Sequence, residues 1–189
     1  MLKKSLLTTA LLIGAHGAMA AEAISVINVS GNITSETCTV AEGDVNKTVT
    51  LPDTRIDELQ NATMLTPVIF SFGISGCDSS KTKVTATIGG TTDSSDVSGY
   101  GTGSVIANTG GTATNVGIGF LGASSVGSSP AGALPVGTAS AVAPLVGDAD
   151  STTNSGRLYL GAQIVPLVKD TLAQAGTVSG AATVTLTYS

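Results

Sequence analysis

The sequence GTVSGAATVTLTYS, residues 176–189, ends in a strict alternation of apolar and hydroxyl-bearing side chains. The apolar face would carry Ala182, Val184, Leu186 and Tyr188. The opposite face would carry Thr183, Thr185, Thr187 and Ser189. Period two with β-branched and aromatic residues is typical of a half-buried strand. No later segment follows that could pair with this strand. Its free edge therefore raises the question of what covers it.

Five more segments have the same period. In each segment, every second residue belongs to the mostly apolar face. In chain order these faces are every second residue from Ala23 to Ile33; Val68, Phe70, Phe72 and Ile74; Val84, Ala86 and Ile88; Val116, Ile118 and Phe120; and Leu158, Leu160, Ala162 and Ile164. Clusters of Gly, Ser, Thr, Asn and Asp separate them, which is turn chemistry. The only candidate for a helical turn is residues 53–62. Many short strands with almost no helix predict an all-β sandwich.

Residues 89–156 are rich in Gly, Ser and Thr, but apolar strand segments recur among them, so we expect long loops on the sandwich. The apolar stretch 131–147 contains Pro135 and Pro144, which would break a helix. It is also short for a membrane span. We therefore predict strand and loop there.

The N-terminus has the pattern of a secretory signal peptide, which we assign to residues 1–20. Lys3 and Lys4 form the basic region, residues 6–13 the apolar region, and Ala18-Met19-Ala20 the cleavage signal. The alternative is a retained membrane anchor, for which the apolar run is short. We expect the mature chain to begin at Ala21 and to be exported.

Removing the signal peptide changes the charge and the chemistry that remain. The mature chain has six basic against thirteen acidic side chains, a net charge of −7, which argues against nucleic acid or anionic lipid as a partner. The single histidine, His16, leaves with the signal. Without histidine, most catalytic triads and most zinc sites are excluded. We predict no enzyme activity and no cofactor.

Cys38 and Cys77 are the only two cysteines. In an oxidising compartment, one even pair most simply forms one disulfide. The alternative, a redox-active or metal-binding pair, lacks a C-x-x-C spacing and a histidine.

The stretch GIGFLG, residues 117–122, fits the G-x-G-x-x-G pattern of dinucleotide-binding proteins. That pattern is informative only where a strand leads into a helix. The flanking periodicity is that of strands on both sides, so we interpret the match as a coincidence in a glycine-rich chain.

Several motifs together resemble the type 1 pilin family, the subunits of chaperone–usher fimbriae. They are VSGNITSETCTV (29–40), TVTLP (48–52), FSFGISGCDSS (70–80), ATNVGIGF (113–120) and ATVTLTYS (182–189). In that family a glycine is fourteenth from the end and a tyrosine is penultimate, which here are Gly176 and Tyr188.

The resemblance implies an incomplete immunoglobulin-like β-sandwich that lacks its last strand. A donor strand, lent first by a periplasmic chaperone and then by a neighbouring subunit, would complete it. The edge of the acceptor groove would then include Gly176, Ala182, Val184, Leu186 and Tyr188. The implied partners are the chaperone, an outer-membrane usher, and identical or related subunits in a head-to-tail polymer. The implied route runs through the periplasm to the cell surface.

The same resemblance assigns residues 21–29 to an N-terminal donor-strand arm and residues 30–189 to the pilin domain. The groove-filling residues would be Ala23, Ser25, Ile27 and Val29. Family arms usually carry a glycine where this chain has Ser25, and Ile24 with Val26 is the competing face. A one-residue slip would exchange the two faces.

We therefore expect a structural subunit of a surface fimbria that polymerises by donor-strand exchange and supports cell adhesion. One alternative is a minor adaptor or tip-fibrillum subunit of the same system. The other is a secreted carbohydrate-binding module, which would need an exposed aromatic platform. The chain has no Trp, and among its six Phe and Tyr residues only Tyr100 and Tyr159 lie off the predicted core faces.

Overall fold

The period-two segments form the long strands of the computed structural model, which describes residues 38–60, 65–147 and 152–189. The described residues contain eleven strands and two short helices. The strands are β1 Thr39–Val40, β2 Val68–Asp78, β3 Lys83–Gly90, β4 Asp96–Val97, β5 Gly101–Thr102, β6 Ile106–Ala107, β7 Val116–Ala123, β8 Ala133–Leu134, β9 Ala139–Pro144, β10 Thr153–Pro166 and β11 Ala182–Tyr188. The helices are α1 Glu42–Val45 and α2 Ile56–Leu59.

Two antiparallel sheets form the sandwich. The larger has the strand order β1-β2-β10-β7-β6, with β8 beside β7, and the smaller has the order β11-β3-β9. Strands β4 and β5 form a separate two-stranded ribbon. The prediction of an all-β, immunoglobulin-like sandwich is confirmed.

The core lies between the inner faces of the two sheets, and the predicted apolar parities supply most of it. Its buried members include Phe72 and Ile74; Val84, Ala86 and Ile88; Ile118 and Phe120; and Leu158, Leu160 and Ala162. Val116 is buried in a neighbouring cluster, against which Ile164 is partly buried. Strand period alone therefore located the core faces of β2, β3, β7 and β10.

The two outer strands of the smaller sheet, β9 and β11, have different edges. Strand β9 ends at Pro144, which has no N–H to offer a further strand. Just beyond it, Val146 and Ser155 of β10 exchange two backbone hydrogen bonds, both 2.8 Å long. This end of the β9 edge is therefore tied to the larger sheet, whereas no described strand pairs with the outer edge of β11.

Residues 131–147 form β8, β9 and the turns around them, as predicted. No described helix is long and apolar enough to cross a membrane. The GIGFLG stretch lies inside β7, not at a junction between a strand and a helix. Its Gly119 has a packing role, because a Cβ there would lie 2.5 Å from the Tyr100 ring.

Helix α2 falls within the predicted helical turn, but the expectation that this would be the only one is wrong. Helix α1 is stabilised by contacts from outside its own four residues. The carboxylate of Asp44 accepts a hydrogen bond of 2.7 Å from the Gly73 amide. The Ala41 amide donates to the Gly73 carbonyl. A four-residue helix that contains Gly43 has little propensity of its own, so β2 holds it in place.

Tyr100, which the sequence leaves off the core faces, is buried. Its ring packs with Val97, Val105 and Val165, and the Gln163 amide donates to its hydroxyl at 3.4 Å. Tyr159 is only partly buried. The expectation that both tyrosines would be free of the core is therefore wrong for Tyr100.

The predicted disulfide is present and joins Cys38 to Cys77, which are 39 positions apart in the sequence. It ties the segment before β1 to the end of β2, and Cys77 is fully buried. The assigned signal peptide (1–20), the arm (21–29) and its residues Ala23, Ser25, Ile27 and Val29 lie outside the described residues.

Replacing both cysteines by alanine should lower the free energy of unfolding of the mature chain by about 4 kcal/mol, from the lost constraint on the unfolded chain. Urea denaturation of the oxidised and the substituted chain measures this. A difference below about 1 kcal/mol would contradict a stabilising role for this bridge.

Burial raises the pKa of Tyr100 to about 12, from an ordinary value of 10.0. The folded state thus favours the neutral phenol. The contribution of the buried Tyr100 phenol to the free energy of unfolding is complete below about pH 10 and is lost as the pH rises towards about 12. Between those two pH values, the wild type should lose more unfolding free energy than Tyr100→Phe. Equal losses in the two proteins, measured by urea denaturation, would refute this.

Candidate functional site

Strand β11 is an edge strand with one side paired and one side open. It is antiparallel to β3 in a register that sets Ala182 opposite Gly90 and Tyr188 opposite Val84. Just past the strand, Ser189 and Lys83 exchange two backbone hydrogen bonds of 3.0 Å. Pairs that bond in this way alternate with pairs whose N–H and C=O groups point outwards.

The alternation assigns each backbone group of β11 to one edge. Thr183, Thr185 and Thr187 share the parity of Ser189 and direct their N–H and C=O groups to β3. The outward groups belong to the other four residues of the strand: Ala182, Val184, Leu186 and Tyr188. The same four residues were predicted from the sequence to carry the apolar face.

Beside this edge runs a groove with a volume of about 580 Å³. Ala182, Thr183, Val184 and Leu186 form the wall on the β11 side. The floor is the inner face of the larger sheet: Phe70 and Phe72 of β2, Ile106 of β6, Ile118 and Phe120 of β7, and Ala162 of β10. An apolar floor beneath an open strand edge has the shape and chemistry that an added β-strand requires.

The opposite wall is formed by the chain from Val40 to Leu51. Val49 and Leu51 line the groove and are partly buried, whereas Thr48 and Thr50 between them are exposed. This stretch alternates like a strand, yet residues 46–55 belong to no strand of the described structure. The groove thus lies between two segments of chain that are not paired with each other.

One polar cluster interrupts the apolar lining. Asp44 and Lys47 form an ion pair, and the Lys47 amino group lies 5.8 Å from the centroid of the Phe72 ring. Burial acts to raise the pKa of Asp44, but hydrogen bonds from Lys47 and the Gly73 amide outweigh it and hold the pKa below its ordinary value. Asp44 is therefore ionised at neutral pH and fixes α1 to β2.

Two of the residues predicted for the groove edge, Gly176 and Tyr188, are not among the lining residues of the groove. Gly176 packs against another loop, where a Cβ would lie 2.4 Å from the Ala113 amide nitrogen. Tyr188 is half-buried against the main core and is not among the lining residues. Its pKa is raised by burial.

Asn108, which no sequence motif marks, holds the segment before β11 in place. Its amide group donates to the carbonyls of Ala113 at 2.9 Å and Thr177 at 3.2 Å. Its side-chain oxygen accepts from the Ser179 amide at 2.8 Å. A single side chain thus joins three backbone groups and positions the start of β11. No sequence period marks such a residue, because the partners are up to 71 residues away.

The chemistry of the groove is that of binding. No group of three His, Cys, Asp or Glu side chains in the described part of the chain could hold a metal ion. The groove offers apolar surface, a free strand edge and one ion pair, which together suit an extended peptide.

A β-sandwich with an open strand position beside an apolar groove defines a class of protein able to take up a further strand. The fimbrial protein family matches residues 27–189, and the chain belongs to that family. It is accordingly a structural protein and not an enzyme.

The solved structures that show similarity include the following two. One is the P pilus rod subunit PapA, at 13% identity and a TM-score of 0.46, with 87% of this chain and 100% of that one covered. The other is the CupB6 tip adhesin from Pseudomonas aeruginosa, at 18% identity and a TM-score of 0.40, with 64% of this chain and 30% of that one covered. No curated protein matches.

Amide hydrogen exchange should alternate along β11. The amides of Val184 and Leu186 face the open edge and should exchange fast, whereas those of Thr185 and Thr187 are bonded to β3 and should be protected. The amides of β3, which has a partner strand on each side, serve as the control. Uniform protection along β11 in the isolated chain would show that the edge is not open.

Proposed function

We propose that this chain is a repeating structural subunit of a surface fimbria, and that it polymerises by donor-strand exchange. The groove beside β11 accepts the N-terminal arm of the next subunit, and the resulting fibre supports cell adhesion. The single observation that carries the proposal is the apolar groove of about 580 Å³ along the open edge of β11.

The length of the arm supports this assignment. Strand β11 has seven residues, and residues 21–28 of the arm number eight. At about 3.3 Å per residue, the extended arm would reach roughly 26 Å and the strand roughly 23 Å. The arm can therefore cover the whole edge without a second segment.

The energetics also support assembly. Burying two or three aliphatic side chains on Phe70, Phe72, Ile118 and Phe120 contributes about 1.5–3 kcal/mol for each one. Backbone hydrogen bonds to the open edge contribute about 0.5–1.5 kcal/mol apiece. Ordering the arm offsets part of this gain. A head-to-tail contact that does not close on itself extends into a filament.

In cells the same groove would first hold a strand from a periplasmic chaperone, and an outer-membrane usher would then pass the subunit to the fibre. An exposed apolar edge is an aggregation hazard, so a temporary occupant is needed before assembly. This sequence of partners is part of the proposal and is supported by membership of the fimbrial protein family.

A secreted carbohydrate-binding module is less well supported. Its aromatic platform would have to come from Tyr100 and Tyr159, but Tyr100 is buried beside Gly119. A single partly buried tyrosine offers no platform for stacking a sugar ring.

The proposal predicts that a peptide of residues 21–33 stabilises a chain that begins at residue 30. At a peptide concentration about a hundred times Kd, binding of the peptide to the folded chain raises the free energy of unfolding by about 2.7 kcal/mol. For a domain of this size, that raises the thermal unfolding midpoint by roughly 5–10 °C. The measurement is thermal unfolding after refolding with and without the peptide.

A matched pair of variants locates the effect. Val184→Asp places a charge in the groove and should abolish the rise in midpoint, whereas Thr185→Asp places it on the opposite face of β11 and should leave the rise intact. If the shortened chain is already stable and monomeric and the peptide does nothing, the sandwich is complete and the proposed function fails.

A further inference from the structure

Strand β11 presents to the groove side chains that increase in size along the strand. Its inward-facing residues are, in chain order, Ala182, Val184, Leu186 and Tyr188. The first three line the groove, and Tyr188 packs against the main core beyond them. The wall on the β11 side therefore leaves most room where the strand begins and least where it ends.

The beginning of the strand has further room, because its neighbours are glycines. Gly90 of β3 is opposite Ala182, and Gly180 lies two residues before it. Ile106 on the groove floor packs against both glycines. A Cβ would lie 2.6 Å from Ile106 if it were added to Gly90, and 2.8 Å if it were added to Gly180. On the β11 side of this end, the wall therefore carries no side chain larger than a methyl group.

The proposed arm has the opposite gradient in its sequence. On the face predicted to fill the groove, the small residues Ala23 and Ser25 come first, and the larger Ile27 and Val29 follow. Residues directly opposite each other on neighbouring strands have Cβ atoms about 4.5–5.5 Å apart, so their side chains share one space. A large residue on one strand therefore fits best beside a small residue on the other.

An arm that runs antiparallel to β11 matches the two gradients. The arm and the strand each present four residues, and one register uses all of them. It pairs Val29 with Ala182, Ile27 with Val184, Ser25 with Leu186 and Ala23 with Tyr188. The combined volume of the paired side chains then stays more even along the groove than in the reverse direction, as close packing requires.

The alternative arrangements fit less well. A parallel arm would set two small residues, Ala23 and Ala182, side by side and leave a void there, and it would crowd two large residues at the other end. The competing antiparallel face, which carries Ile24 and Val26, would move the polar amide of Asn28 from water onto the apolar floor beside Ala182. Packing and polarity thus favour the same face and the same direction.

We propose, resting on the donor-strand function above, that Ala182 and Leu186 are specificity-determining residues of the groove. Ala182 admits the branched Val29 of the incoming arm, and Leu186 admits only a small residue, Ser25. Together they select the direction and the face of the arm. Reversal would place Ile27 beside Leu186, and a one-residue slip would place a β-branched residue there.

Enlarging one residue on each face of the arm tests this without a change in residues 30–189. In the full mature chain, residues 21–189, Ser25→Leu sets two large side chains side by side at Leu186. It should raise the concentration at which half of the refolded chain is oligomeric by roughly tenfold. Val26→Leu places a leucine on the opposite face of the arm and should leave that concentration within about twofold of the wild-type value. Sedimentation velocity measures it.

A size exchange at the other end identifies the partner of Ala182. Because Ala182 is exposed, Ala182→Leu should fold, but it should block Val29 and raise the same concentration roughly tenfold. Each interface joins the arm of one copy to the groove of another, so a double variant carries both changes at every interface. Adding Val29→Ala restores the space and should bring the concentration to within about threefold of the wild-type value. Thr185→Leu, on the outer face of β11, is the control and should assemble like the wild type.

The outcomes are distinct. Restoration by Val29→Ala, with an effect of Ser25→Leu and none of Val26→Leu, supports the proposed pairing. Normal assembly of Ala182→Leu, its restoration only by Asn28→Ala, or equal effects of the two arm variants overturns this inference and leaves the donor-strand function standing. If Ala182→Leu does not fold, the two arm variants alone decide. A wild-type chain that stays monomeric after refolding overturns both proposals.

Discussion

The requirement on which this structure depends is that the backbone groups on the outer edge of β11 must be satisfied. A backbone N–H or C=O that is buried without a partner costs about 1–3 kcal/mol. Ala182, Val184, Leu186 and Tyr188 direct their N–H and C=O groups to the open edge, where they need a partner once apolar surface beside them is covered. Because the apolar side chains of the same residues point towards the core, water can solvate the edge only while apolar surface is exposed. An added strand of the kind proposed above would meet both requirements at once.

The surrounding structure maintains this open position. Asn108 fixes the chain before β11, and the Cys38–Cys77 bridge fixes the chain before the opposite wall. Asp44 then anchors α1 to the Gly73 amide. Each of these contacts fixes one wall to the rest of its own surroundings, and none of them joins the two walls to each other. Rigid walls reduce the reorganisation needed when a strand enters.

The sequence was informative where structure is local and uninformative where it depends on distant contacts. Period two located the inner faces of β2, β3, β7, β10 and β11, because alternation is a property of the strand itself. Helix α1 could not be predicted, since its four residues are held by Gly73, 29 positions away. Tyr100 was misjudged for the same reason, because its ring is buried beside Gly119 of another strand. Gly176 was noted only through the family resemblance. Its packing against the loop at Ala113 joins positions far apart in the chain, so no local sequence pattern could predict it.

The difference between the two edges of the smaller sheet affects how many neighbours one subunit can bind by strand addition. Pro144 offers no N–H to a strand approaching its end of β9, and the Val146–Ser155 bonds close that end against the larger sheet. Among the strands that the structure describes, β11 is the one whose open edge borders the apolar groove. If the arm is the donor, each chain has one outgoing and one incoming connection through this groove, so strand addition at this site extends a single line of subunits. Proline at the end of β9 thus disfavours widening of the smaller sheet by the kind of backbone pairing that builds amyloid-like aggregates.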